Sequence, residues 1–360
     1  MWTVTVKTVT VNTVNILPGT RGPLDDELLA VLRTATGSDV GYDATPTVLV
    51  GGFWAQLLRF RLRGAPEGWR QELVARVMPD SDIAAKETAV QAEVAYQGYP
   101  TPAVRLAGGP NDGLGRAFMI MDLATGVPML SGLGGVVAVA ALPKLARRLP
   151  VLLADSMTRL HQLDPTPVRD RLVRSGASCP GIDPVVTSLG DSAARLGRDD
   201  LAAVATWLAE HRPRREPEVI CHGDLHPFNV LVDSDGSITV LDWSAALLAP
   251  AAYDVAFTGL ILAEPPVAVP RLLRPAVRVA GRWLARRFRD QYRLRSVTEL
   301  DAHSLSWHEG VVCLRALVEV AGWGADGRID ERRGHPWLIC GPAFAGRLTA
   351  LTGTRVSWVS

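Results

Sequence analysis

Eight consecutive residues, His222-Gly223-Asp224-Leu225-His226-Pro227-Phe228-Asn229, hold an acid and an amide, and a second acid, Asp242, follows in Val240-Leu241-Asp242-Trp243. Pro227 keeps this loop out of helix, and the patterning predicts strands over 229–233 and 237–241 joined by a Ser-Asp-Gly turn. Such a hairpin carries Asp224, Asn229 and Asp242 toward one end, where they can converge on a metal-bound polyphosphate. Phosphoryl transfer needs a positioned acceptor oxygen, neutralised phosphate charge and in-line geometry more than covalent help. A carboxylate at Asp224 can orient an acceptor hydroxyl and take its proton. Asn229 and Asp242 offer the oxygen ligands that a hard cation such as Mg²⁺ prefers. Solvated turn acids would explain neither the order nor the spacing.

The interval from Asp224 to Asn229 equals that of the protein-kinase catalytic loop, with Asp242 at the place of its second metal-binding aspartate. In H-G-D-L-H-P-x-N-V-L, then V-L-D-W, then A-Y-D-V-A at 252–256, the chain resembles the aminoglycoside phosphotransferase and choline-kinase-like family. The resemblance covers most of the chain from about residue 47 to 260. It implies an α+β, bilobal protein-kinase-like fold, with a small antiparallel β-sheet N-lobe and a larger, mostly helical C-lobe. It implies ATP and Mg²⁺ as cofactors, Asp224 as catalytic base and Asn229 and Asp242 as metal ligands. Asp254 takes an architectural part, holding the loop after the metal-binding acid.

Weaker signals extend the resemblance into the N-terminal part. Leu49-Val50-Gly51-Gly52-Phe53 resembles a nucleotide-covering loop, where missing side chains let backbone N–H groups approach phosphates. Alone, Gly51-Gly52 is merely a hairpin turn. Arg76 stands where the family places a phosphate-pairing Lys or Arg, and arginine binds phosphate bidentately; the rival is a surface Arg on the outer face of a strand. Glu87 resembles the helix glutamate that pairs with that cation, with Glu93 as competitor. The segment 118–123 resembles the lobe connection, whose backbone would hydrogen-bond adenine from Met121, Asp122 or Leu123. Leu160-His161-Gln162-Leu163-Asp164 also recurs in the family; His161 reads as a packing residue. His226 reads as holding the shape of its loop, and Phe228 departs from the small residue usual there.

Two kinds of architecture must position these residues. A short helix over 23–35, strands over 47–50, 55–62 and 72–78, a helix over 83–97 ending at Gly98 before Pro100 and Pro102, and strands over 103–106 and 116–121 make a sheet-rich part. From about residue 136 the pattern becomes Ala-, Leu- and Arg-rich and helical, broken by a loop over 178–184, with the β island at 218–241 inside it. The expected division is 1–123 as nucleotide-binding lobe and 124–360 as catalytic and acceptor-binding lobe, since 360 residues exceed one ordinary core.

Lys and Arg number 38 against 37 Asp and Glu, so charge draws the whole molecule neither to nucleic acid nor to an anionic membrane. Cys179, Cys221, Cys313 and Cys340 are scattered, as fits reduced thiols in a cytoplasm. The alternating Thr and Val over 3–14 is not a signal peptide, and Pro143, Lys144, Arg147 and Arg148 interrupt the most apolar stretch, so no membrane span is expected. The expected partner is a small hydroxylated acceptor, and oligomeric state is not legible. Arg271, Arg274, Arg278, Arg282, Arg286, Arg289 and Arg293 form a basic stripe that reads as a solvated helix face. Were it to face the cleft, polycationic aminoglycosides would be repelled and an anionic or neutral acceptor favoured, while the acids Glu309, Glu319, Asp326, Asp330 and Glu331 leave a cationic substrate open. Among Trp283, Tyr292, Trp307 and Trp323, most read as core. A nucleotide-binding pseudokinase is the alternative; it predicts a missing catalytic or metal residue, and none is missing.

Overall fold

The computed structural model describes residues 16–17, 22–49, 55–129, 135–178, 181–266 and 271–358. The N-terminal lobe contains β1 (Ile16–Leu17), α1 (Pro23–Thr36), β2 (Gly41–Tyr42), β3 (Thr47–Leu49), β4 (Gln56–Phe60), β5 (Leu62–Arg63), β6 (Leu73–Met78), α2 (Ser81–Tyr96), β7 (Val104–Gly108) and β8 (Ala117–Asp122). Six of these strands form an antiparallel sheet in the order β1-β3-β4-β6-β8-β7. Leu28, Leu29 and Leu32 of α1 pack on the sheet residues Leu58, Phe60 and Leu73. Every residue of β6 is buried, including Arg76. A strand covered on both faces excludes the reading of Arg76 as a solvent-facing charge. Helix α2 starts two residues before the expected 83, because the Asp80 carboxylate accepts from the N–H groups of Asp82 and Ile83, both at 2.9 Å.

The C-terminal lobe runs through β9 (Val127–Pro128), α3 (Gly135–His161), α4 (Pro165–Arg174), α5 (Ile182–Arg195), α6 (Asp199–Glu210), β10 (Glu218–Cys221), β11 (Val230–Val232), β12 (Ile238–Val240), β13 (Leu247–Pro250), α7 (Ala251–Ala263), α8 (Arg274–Arg295), α9 (Ala302–Ala325) and α10 (Pro336–Thr352). The expected hairpin is β11–β12, with Val230 opposite Val240; β9 flanks it, and β10 pairs separately with β13. Helix α3 continues through Pro143 and Pro150. The expected loop over 178–184 gives way to α5 at Ile182, so Pro184 lies inside the first turn, where a missing N–H costs little. No helix among the described residues is long and apolar enough to cross a membrane. Cys221, Cys313 and Cys340 are buried.

The two lobes share a core. Ala89, Val90 and Val94 of α2 pack with Leu153, Met157 and Leu160 of α3 and with Trp243. Beyond α2, Val240 N–H donates to Pro100 O at 2.8 Å, Thr101 Oγ1 to Val240 O at 2.8 Å, and Trp243 Nε1 to Thr101 Oγ1 at 2.9 Å. These bonds fix the end of β12, and therefore Asp242, relative to the N-terminal sheet. On α8 the stripe faces solvent: Arg274, Arg278, Arg282, Arg286 and Arg293 are exposed, while Gly281, Ala285, Phe288 and Tyr292 are buried. Trp307, Trp323 and Tyr292 fill core; Trp283 is exposed.

Candidate active site

The loop leaving β10 is held from beneath by one carboxylate. Asp254, in the first turn of α7 and fully buried, accepts from Gly223 N–H at 2.7 Å and from His222 N–H at 2.8 Å. His161 Nε2 approaches the same carboxylate at 3.2 Å and Nδ1 meets the Tyr292 hydroxyl at 2.7 Å, so the assigned tautomer donates to Asp254. Two expectations change here. Asp254 holds the loop before Asp224, not the loop after Asp242, and His161 is a hydrogen-bonded support for that acid as well as a packed ring. Gly223 has φ +73°, and an added Cβ would lie 2.2 Å from Ala245 O, so neither the dihedral nor the space admits a side chain.

His222 Nε2 bonds Leu241 O at 3.1 Å, and its Nδ1 accepts from Asp224 N–H at 3.2 Å. Burial depresses its pKa despite the nearby acids, keeping it in the neutral form that this accepting role requires. Asn229 Nδ2 donates to both Asp224 O, at 3.0 Å, and Asp224 Oδ2, at 3.1 Å. His226 Nε2 lies 3.6 Å from the same oxygen, and its Nδ1 accepts from Phe228 N–H at 3.2 Å. Burial opposes charge on His226, but the Asp224 carboxylate outweighs it and raises the pKa.

Asp242 follows β12 with φ +66°, the sole non-glycine residue in the left-handed region among those described. Its Oδ1 accepts from Ser244 Oγ at 2.7 Å and lies 3.4 Å from Arg76 Nη2. Burial opposes its ionisation; Arg76 and Ser244 prevail and hold the carboxyl below its ordinary value. Arg76 Nε is also 3.2 Å from Glu87 Oε1, whereas Glu93 pairs with Arg171 at 3.1 Å. Burial pushes Glu87 up to about 7, with Arg76 pulling the other way.

These groups line one cleft of about 300 Å³, with Leu57, Arg76, Glu87 and Met121 on the N-lobe side and Asp224, Asn229 and Asp242 on the other. Of the connecting residues, Met121 alone lines it. Asp122 turns its carboxylate to Arg105, at 2.6 Å, and its N–H donates to Ala103 O, while Leu123 N–H donates to Glu72 O. The donors expected at 122 and 123 are thus committed within the sheet. Gly51, Gly52 and Phe53 lie outside the described residues.

Sequence reasoning did not assign Arg315, His335 and Trp337 to the cleft, and it weighed Glu319 only as one of several acids. Arg315 and Glu319 are charges on a helix that is otherwise buried almost all round, which is the signal that could have singled them out. Burial raises the Glu319 carboxyl, with Arg315 and a bond from Trp337 opposing. A second cavity, of about 370 Å³ between α5 and the loop before β10, contains none of residues 222–229.

A sheet lobe and a helical lobe enclosing an acid-amide-acid set beside a buried Arg–Glu pair define a kinase-like phosphotransferase fold. Residues 55–277 match the model of the phosphotransferase enzyme family, APH, and the chain belongs to that family. Among solved structures it is similar to a putative aminoglycoside phosphotransferase from Ralstonia eutropha JMP134, at TM-score 0.65 and 16% identity over 92% of this chain and 99% of that one. It is also similar to a thermostable mutant of the aminoglycoside phosphotransferase APH(4)-Ia in ternary complex with AMP-PNP and hygromycin B, at TM-score 0.57 and 18% identity over 91% and 98% of the two chains. The GDP and kanamycin complex of APH(2")-IIIa aligns at TM-score 0.55 and 17% identity over 89% and 98%. A comparison with curated protein sequences gives no match.

Proposed function

We propose that the protein transfers the γ-phosphoryl group of ATP to a hydroxyl group of a small molecule, with residues 1–123 forming the nucleotide lobe and 124–360 the catalytic and acceptor lobe, in the cytoplasm. The observation that carries this reading is the convergence of Asp224, Asn229, Asp242 and Arg76 on one cleft. Asp224 is the base: its carboxylate orients the acceptor hydroxyl and takes its proton as the oxygen attacks phosphorus. His222 and Asp254 hold that carboxylate in place through the loop backbone. Arg76, fixed between Glu87 and Asp242, is placed to meet phosphate oxygens, and Met121 to contact the base of the nucleotide.

The donor set suits Mg²⁺. Asp242 is held ionised, and Asn229 spends its N–H groups on Asp224, which leaves its amide oxygen as the remaining acceptor. The ion, when bound there by Asn229 and Asp242, would neutralise phosphate charge. The structural relatives captured with AMP-PNP or GDP beside an antibiotic support a nucleotide and a small acceptor in such a fold. A pseudokinase reading lacks the missing residue it requires. The test is incubation with Mg-ATP and a pooled library of hydroxylated molecules, read by mass spectrometry. A product heavier by one phosphoryl group, absent with Asp224→Ala, is expected; the same product from that variant would overturn the assignment.

A further inference from the structure

Beyond Asp224 the cleft wall is built by the last two helices. Arg315 and Glu319 lie four residues apart on α9, hence on one face. Trp337 opens α10, where the His335 ring caps its N–H at 3.2 Å. Trp337 Nε1 donates to Glu319 Oε2 at 3.0 Å, and Arg315 Nη1 donates to Gly223 O at 3.1 Å and to the Tyr253 hydroxyl at 3.2 Å. Rings continue this wall: Phe257 meets Trp337 edge-on at 6.0 Å, and His226 lies 6.4 Å from Phe257 and 5.8 Å from Phe228.

Four carboxylates line the cleft: Glu87 and Asp242 face Arg76, and Asp224 and Glu319 lie on the side of Arg315. The loop leading to His335 sets Asp326, Asp330 and Glu331 against Arg328, Arg332 and Arg333, with Arg328–Glu331 paired at 3.2 Å and Arg333–Asp330 at 2.8 Å. Every Asp and Glu of the chain lies among the described residues, so the segments outside them add no acid to the cleft. A polycation leaving water would have to compete with Arg76 and Arg315 for these carboxylates, which is unfavourable. A ring or an apolar face finds matching walls, and a hydroxyl finds an acceptor in Glu319.

We propose that the acceptor is a hydroxylated molecule with an aromatic or apolar face and at most one positive charge, seated against Trp337 with a hydroxyl bonded to Glu319. This rests on the phosphotransferase reading and narrows its substrate class. Trp337 and Glu319 are then specificity-determining residues, and polycationic aminoglycosides are poor acceptors. The basis is the composition of the cleft wall and not the arginine stripe of α8, which faces solvent.

The experiment is calorimetric titration of the full chain, first with AMP-PNP and Mg²⁺, then, once loaded, with 4-nitrophenyl β-D-glucoside or kanamycin. The glucoside is a neutral hydroxylated aromatic probe. It is expected to bind about tenfold or more tightly than kanamycin, and to lose about tenfold on Trp337→Leu and about fivefold on Glu319→Gln. The AMP-PNP affinity of each variant reports whether it is folded. Tighter binding of kanamycin, no binding of the glucoside to loaded protein, or a glucoside affinity untouched by both substitutions would overturn the proposal. Failure of AMP-PNP to bind wild-type protein would remove the phosphotransferase reading itself, and the acceptor class with it.

Discussion

Asp254→Asn isolates the support beneath the catalytic loop. The native carboxylate, with no exposed surface, accepts two backbone N–H groups at 2.7 and 2.8 Å and the His161 ring at 3.2 Å. The amide keeps the shape but has one accepting oxygen, so its NH₂ group must face one of the former donors. A hydrogen bond to a charged group contributes about 1.5–3 kcal/mol, and a buried donor left without an acceptor costs about 1–3 kcal/mol. The two figures describe overlapping parts of one loss, so the expected destabilisation is about 3 kcal/mol, a large fraction of a typical stability of about 5–15 kcal/mol. Asp254→Ala would strand both backbone donors, and the isosteric change is therefore the readable one. Urea unfolding followed by tryptophan fluorescence gives the free energy, with exposed Asp330→Asn as a control expected to leave the midpoint in place. Transfer activity should fall in step, because Asp224 begins two residues after the first anchored N–H, while AMP-PNP affinity stays close to wild type. A destabilisation under about 0.5 kcal/mol, the scatter of ordinary surface changes, would refute the assignment of Asp254 as the loop's anchor.

Gly223→Ala should abolish transfer while the helices remain folded by circular dichroism: a left-handed residue costs about 1–2 kcal/mol before the Cβ contact with Ala245 O forces the loop to move. Arg76→Met leaves the buried Glu87 without its cation and should cost about 3–5 kcal/mol; adding Glu87→Leu should recover part of that stability and none of the AMP-PNP affinity. Burial holds His308 at about 4 against 6.5 for the free side chain. Between those values the unfolded chain takes a proton that the folded one refuses, so this residue's contribution is intact above pH 6.5 and is lost as pH falls toward 4. Stability curves for wild type and His308→Gln should therefore diverge by up to about 1.4 kcal/mol per pH unit across that window; parallel curves would refute the neutral assignment.

The catalytic hairpin was legible because its information is local. A proline, a turn and two short strands lie within about two dozen residues and bring Asp224, Asn229 and Asp242 toward one end; Asp254 and the bonds to Pro100 and Thr101, which then fix them, come from outside that segment. Arg76 and Glu87 were partly legible: strand and helix patterns located both, but only packing between β6 and α2 separates Glu87 from Glu93, which α4 takes through Arg171. The wall formed by Arg315, Glu319 and Trp337 was not legible, because these residues join Asp224 in one cleft only through tertiary folding across about a hundred residues of intervening chain. The α8 stripe shows the converse. Its periodicity gives a basic face, but the side toward which that face points is fixed by Gly281, where α8 presses on the backbone of α7 so closely that a Cβ would sit 2.5 Å from Leu262 O.

The central claim is that Asp224 acts in phosphoryl transfer and not in holding the fold or the nucleotide. The most direct measurement compares wild type with Asp224→Asn for release of the ATP γ-phosphoryl group, to acceptor or to water, alongside AMP-PNP affinity in Mg²⁺. The expected result is transfer reduced by about 10²–10⁴-fold with AMP-PNP affinity within about threefold of wild type. Transfer retained within about tenfold, or transfer and AMP-PNP affinity lost together, would contradict it.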